Sequence, residues 1–415
     1  MKVDMKFEVA GARIQQDFDH PNRNPHNSLC DDSFTHRGEQ RSVPFGRNWL
    51  NEHRLSQEVS MKDVLTARSL FLVIIIAIIS VFPPITRAQS GTPRNDERTA
   101  GEPYPNMPSI PPIGVRTGKY FDIPASAQGP AVDPAKGYRL QDFGGGLYMI
   151  TDNQIQSMFL VYDHGVVVMD APQSYAAHIR QAIAEVSDKP ITHLIYSHSH
   201  ADHIGGAKTL GDIPAIISHE ETLRLLKRDA DPNRPLPTVT FKDKYTLHVG
   251  DQVLELSYHG PGHVPGNIFI YAPKQRVLMV IDTVFPGWMP WRRFAVSQDV
   301  FDEFARVEDV RKMDWDTVVG GHVTRVGTHA DVELQAEFYR DIKQAAATAL
   351  ATTRIGETLN PLDKGNPWAV YDNYIDRVAA QCVNTLTPKW STKLDGYDVF
   401  IWDQCYSMEQ TLRID

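Results

Sequence analysis

The sequence predicts a layered α/β protein built on mixed β-sheets. Three observations point there. Short β-branched runs alternate with stretches of helical spacing. Clusters of Gly, Pro, Asp and Asn separate them. Side chains of the metal-ligand type fall just beyond the ends of the strand-like runs, where loops on a layered scaffold collect chemistry.

The elements follow in order. Organised patterning begins near Tyr138 with the runs GLYMITD and SMFLVYD. DHG then makes a turn, and VVVMDAP is a continuous β-branched strand ending at Asp170. Ser174 to Ser187 has helical spacing in Ala177, Ile179, Ile183 and Val186. Pro190 restarts the chain as the strand ITHLIYS, and IPAIIS is the next. His219 to Arg228 reads as a helix. Beyond the Pro-rich turn DPNRPLP come YTLHV, QVLELSYH, NIFIYAP and RVLMVID, all strand-like. Phe301 to Met313 is a helix, DTVVGGH a strand and loop, and His329 to Ala351 a long helix. The tail, 352–415, is expected to be a helical extension.

The 415 residues exceed one such domain, and the surplus lies at the N-terminus. Residues 1–60 are polar and aperiodic, as an over-extended start or disordered segment would be. From Met61, Lys62 and Arg68 precede the apolar run Leu70 to Phe82, and Thr86-Arg87-Ala88 offers small residues before a cut. That order is the secretory signal pattern, assigned to 61–88, and it predicts a periplasmic or secreted protein with no membrane span once cleaved. Residues 89–136 are rich in Pro and Gly and read as a linker or a wrapping arm. The catalytic domain is expected over 137–351. A net charge of −9 leaves no footprint for nucleic acid, so the expected partner is a small-molecule substrate, with oligomeric state open. Cys382 and Cys405 either pair, as an oxidising compartment allows, or stand as separate buried thiols.

The stretch YSHSHADHIGGA carries His198, His200, Asp202 and His203. In an extended segment side chains two apart share a face, so His198 and His200 can aim at one point. A sharp turn must then bring Asp202 and His203 to a neighbouring point, and Gly205-Gly206 permits the turn and a close backbone approach. One ion rarely needs all four groups; two adjacent ions do. His263, Asp282 and His322 follow, each past a β-like run. Five imidazoles and two carboxylates suit a dinuclear zinc centre, with manganese or iron as alternatives.

HSHADH, GPGHVPGN, VIDTVFPG and VVGGHV, in that order and with VVVMDAP upstream, resemble the metallo-β-lactamase superfamily over about half of the chain. The resemblance implies an αββα sandwich of two mixed sheets flanked by helices, with metals at one sheet edge. It implies two Zn(2+) per chain: one on His198, His200 and His263, the other on Asp202, His203 and His322, with Asp282 bridging. Asp170 matches an aspartate that braces the histidine loop from outside; an ordinary strand-end turn is the alternative. His259, beside the His263 turn, is either such a brace or a packing group. His164, His178, His219, His248 and His329 read as surface groups.

The chemistry so implied is hydrolysis by a hydroxide shared between two cations, with Asp202 handling its proton. The aspartate at 282 is similar to superfamily members that cleave esters, thioesters and lactones. Family β-lactamases typically carry cysteine or serine in that region, so an ester-like substrate is favoured. Phe285 stands where lactonases often place a tyrosine, which counts against a lactonase. Trp288, Trp291 and Arg292 form an aromatic, basic loop that either walls a substrate pocket or packs on the arm and the C-terminal helices. A β-lactamase, a phosphodiesterase and a zinc-binding protein without catalysis are the other readings.

Overall fold

The structure is a computed structural model and describes residues 120–415. The expectations for 1–60, for the signal at 61–88 and for the first part of the arm lie outside the described residues. Two sheets stack face to face. The first holds β1 (Arg139–Asp142), β2 (Leu147–Thr151), β3 (Gln156–Tyr162), β4 (Gly165–Met169), β5 (Ile191–Ile195), β6 (Ala215–His219) and β7 (Val239–Phe241), in sequence order. Its first four strands are antiparallel and β4 to β7 are parallel, so the sheet is mixed. The second runs β12-β11-β10-β9-β8, from β8 (Lys244–Val249), β9 (Gln252–Tyr258), β10 (Ile268–Ala272), β11 (Val277–Val280) and β12 (Thr317–Val319). Only its β11–β12 pair is parallel.

Alternation along the strands creates three apolar layers. In β3 and β4, Met158, Leu160, Val167 and Met169 face the second sheet, while Phe159, Val166 and Val168 face outward. In β10 and β11, Ile268, Ile270, Val277 and Met279 face the first sheet, and Phe269, Leu278 and Val280 face away. Helix α1 (Ala176–Ala184) covers the outer face of the first sheet through Ile179, Ala182 and Ile183, and α2 (Glu220–Asp229) adds Leu226. The second sheet is covered by α3 (Val300–Lys312) and α4 (His329–Thr352), then by α5 (Pro367–Trp390) and α6 (Tyr397–Ile414) of the C-terminal extension. The result is helix, sheet, sheet, helix, as expected. Cys382 of α5 and Cys405 of α6 form a disulfide. Among the described residues no helix is long and apolar enough to cross a membrane.

Local expectations needed correction in two places, and one local feature was not foreseen. Gly205 and Gly206 keep right-handed backbone, at φ −67° and −96°. Their value is closeness: a Cβ on Gly206 would sit 2.2 Å from that of Ala176. His219 is not a surface group. It is 2% exposed, caps α2 by accepting the Glu221 N–H, and stacks on Tyr258. The segment after Trp291 does not enter α3 directly but first makes one left-handed turn, Arg293 to Ala295, each with positive φ and ψ.

Candidate metal centre

Every candidate ligand sits just beyond a strand. β5 leads to His198 and His200, and a one-turn helix, Ala201–Ile204, then presents Asp202 and His203. β9 leads to His263, β11 to Asp282 and β12 to His322. The two sheets are tied at this edge, where the Ile268 N–H donates to the Ser197 carbonyl at 2.9 Å. The turns need unusual backbone: Asp282 has φ +62° and Gly321, before His322, φ +89°. A non-glycine residue held there signals a position dictated by its surroundings.

The seven groups come together. His198, His200, His263 and Asp282 form one set able to hold an ion, and Asp202, His203 and His322 form another. His200 Nδ1 lies 2.9 Å from His263 Nε2, and His203 Nε2 lies 3.1 Å from His322 Nε2. Asp282 stands between the sets. Its Oδ2 is 3.5 Å from His198 Nε2, 3.2 Å from His263 Nε2 and 3.1 Å from His203 Nε2, and its Oδ1 is 3.1 Å from His322 Nε2. Asp202 Oδ2 closes the second set at 3.5 Å from His203 and 3.4 Å from His322. Four donors each about 2.0–2.1 Å from one tetrahedral ion lie roughly 3.4 Å apart, so the spacing fits coordination. Buried His198 Nε2 has no hydrogen-bond partner, as suits an atom reserved for a cation.

Neighbouring groups fix how the ligands point. Asp170, also at positive φ, accepts the Ser197 N–H through Oδ1 at 2.8 Å and so holds the start of the histidine loop. Burial pushes its carboxyl up to about 6, against the pull of His203 and Ser197. The His322 Nδ1–H donates to the Gln154 carbonyl at 3.2 Å, which leaves Nε2 a free lone pair toward the site. Gln156 donates to the carbonyls of Val323 and Arg325. The Gly262 N–H donates to Asp302 of α3 at 2.7 Å, and Arg234 donates to the Ser199 carbonyl at 2.6 Å. Asp170 was legible in the sequence; the other supports were not, because no spacing links them to the motifs.

The charges are arranged for cations. Burial and three imidazole neighbours hold His198 well below its ordinary range. Burial and His263 bring His200 down to about 4. Burial acts to lower His322 as well, but the Asp282 and Asp202 carboxylates lift it to about 10. Burial opposes ionisation of Asp282, yet the surrounding imidazoles hold it well below the carboxylate range. Burial likewise opposes ionisation of Asp202, but His322 and His203 keep it anionic.

The remaining predicted residues are placed elsewhere. His259 stacks on Phe269 at 4.3 Å, meets Ser257 at 2.9 Å and faces Asp309. The Trp288 indole N–H donates to the Ala127 carbonyl of the arm at 3.0 Å, and the Met289 N–H donates to the Asp395 carbonyl of the C-terminal extension at 2.9 Å. Trp291 and Arg292 are exposed. The loop is therefore packed on both the arm and the extension.

The sequence model of the metallo-beta-lactamase superfamily matches residues 150–322, a span that starts in β2 and ends on the last ligand. Residues 150–322 belong to the metallo-beta-lactamase superfamily. The chain is 30% identical over 224 residues to the 2,4-dinitroanisole O-demethylase subunit alpha of Nocardioides sp. (strain JS1661), covering 51% of this chain and 64% of that protein. It is 29% identical over 126 residues to the type 2 metallo-beta-lactamase of Elizabethkingia meningoseptica, covering 30% and 49%. The solved metallo-beta-lactamase from Pontibacter korlensis matches 49% of this chain and 99% of its own at 17% identity and a TM-score of 0.44. The chain spans less than two thirds of the length of the two sequence relatives, the demethylase subunit and the Elizabethkingia enzyme. Superfamily membership and the ligand sets describe a metal-dependent enzyme class; α5 and α6 lie outside the family match.

Proposed function

We propose that this protein is an exported dizinc hydrolase that cleaves an ester, lactone or related carbonyl substrate. The placement of Asp282 carries the reading, since one carboxylate lies within 3.5 Å of four imidazoles drawn from both ligand sets. Cations held there would supply a hydroxide near neutral pH and polarise the carbonyl under attack. The protein's own part is to hold and orient. His198, His200 and His263 would fix one ion, and Asp202, His203 and His322 the other. Asp202 is 44% exposed on its side chain, which sets it at the solvent side of the centre. From there it can hold the proton released on attack and pass it to the leaving group. Trp291, 39% exposed, and Arg292 stay open to solvent, whereas Trp288 has its indole N–H committed to the arm.

Export rests on the signal pattern at 61–88 and agrees with the Cys382–Cys405 disulfide, a bond typical of oxidising compartments. A second reading has one specific support: the relative named for O-demethylation of 2,4-dinitroanisole aligns over half of this chain. It replaces the ester carbonyl with an electron-poor aryl methyl ether. Metal analysis of the purified protein, followed by a panel of aryl esters, lactones, β-lactams, phosphodiesters and an activated aryl methyl ether, separates the readings. We expect close to two zinc ions and turnover of aryl esters or lactones. Turnover of the β-lactam, the phosphodiester or the aryl ether alone would reject the ester assignment. Stoichiometric metal with no turnover would leave a binding protein.

A further inference from the structure

The chain between Asp282 and α3 runs from the bridging carboxylate to the His263 turn. At its far end the Gln298 N–H donates to the His263 carbonyl at 3.0 Å, and the Asp299 N–H to the Gly262 carbonyl at 3.2 Å. Between them Arg293, Phe294, Ala295 and Val296 have φ of 51°, 52°, 62° and 50°. Four successive residues with a β-carbon, one of them β-branched, do not take left-handed backbone unaided. Something outside the segment must impose it.

Helix α6 does so. Gln404 is fully buried, and its amide is spent on this turn. Its Oε1 accepts the Phe294 N–H at 2.7 Å, and its Nε2 donates to the carbonyls of Pro290 and of Trp291, the latter at 2.8 Å. Asp403 accepts the Arg293 N–H at 2.7 Å. The next residue, Cys405, is bonded to Cys382, which clamps α6 to α5 beside Gln404.

We infer that Gln404 is a positioning residue for the His263 side of the metal centre, acting through the left-handed turn at 293–296. The inference rests on the dinuclear reading of the site, and it gives the C-terminal extension a task. Losing the amide frees the turn to relax, and the carbonyls of Gly262 and His263 lose their fixed partners. His263 belongs to one ion's ligand set only, so the effect falls on one ion and spares the other.

The test is zinc titration of metal-stripped full-length protein against a competing chelator, for the unmutated chain, Gln404→Ala and Gln404→Glu. Met408→Ala, a buried position one turn further along α6, is the control for plain loss of helix packing. All are compared at a temperature where circular dichroism shows them folded. Gln404→Ala is expected to weaken one of two zinc ions by about tenfold or more, the loss typical of a group that orients a ligand. The other ion should change by less than about threefold on the same scale. Gln404→Glu keeps the acceptor and loses the donors, so it should fall between; it also serves if the alanine variant does not fold. Unchanged affinity for both ions in both variants overturns the inference, as does equal weakening of both ions matched by Met408→Ala. An unmutated chain that binds no zinc is a different result, which removes the metal-centre reading and this inference together.

Discussion

Asp282 shows how much one residue is asked to do. It sits at φ +62°, buried, with imidazoles on both oxygens. Asp282→Asn keeps the shape and removes the charge that offsets two cations. We expect its zinc content to fall and kcat/KM to drop beyond the roughly 100-fold that follows loss of an orienting neighbour. Asp170→Asn should instead keep both ions and weaken them about 10- to 100-fold. Elemental analysis and kinetics on the two variants check the ranking, and equal effects would contradict it. The ligands themselves were legible because their chemistry is tied to spacing: His198, His200, Asp202 and His203 fall within one short loop. Gln154, Asp302, Arg234 and Gln404 were not, because folding alone brings them to the site.

Among the elements, those with a strong period were read well and those shaped by neighbours were not. β3 and β10 announce themselves as apolar runs and β4 as a β-branched one, and α4 follows its own helical pattern. The three-residue β7 carries too little pattern to see after a Pro-rich turn. The left-handed turn is unreadable, since WRRFAV alone favours ordinary right-handed backbone at a cost of ~1–2 kcal/mol per residue for the mirror form. Two predictions belong here. The disulfide joins residues 23 apart, and replacing both Cys382 and Cys405 by Ala should cost about 3 kcal/mol, seen as a lower guanidinium midpoint. On α5, burial and the nearby Asp372 raise Asp376 to about 6 from an ordinary 3.8. A carboxyl raised on folding costs the native state stability progressively as pH rises from its unfolded to its folded value, in full above the latter and not at all below the former. Asp376→Asn should therefore stabilise at pH 8 by up to ~1 kcal/mol after solvent screening, and not at pH 3.5. Equal shifts in unfolding midpoint at both pH values would refute this.

At the scale of the molecule, the sandwich is the device that gathers distant loops. Ligands separated by more than a hundred positions, such as His203 and His322, meet because strands of both sheets end at one edge. The layered class was visible in the order of runs, but the closed layer order came from the motif resemblance. What patterning could not show is that the C-terminal helices reach back to brace the catalytic edge, since helix–helix packing has no local signature. The central claim is that two cations sit side by side with Asp282 between them. Anomalous diffraction at the zinc edge from zinc-loaded crystals tests it most directly. Two peaks about 3.5–4 Å apart are expected, one within coordination distance of His198, His200 and His263, the other of Asp202, His203 and His322. A single peak, or peaks away from Asp282, would contradict it.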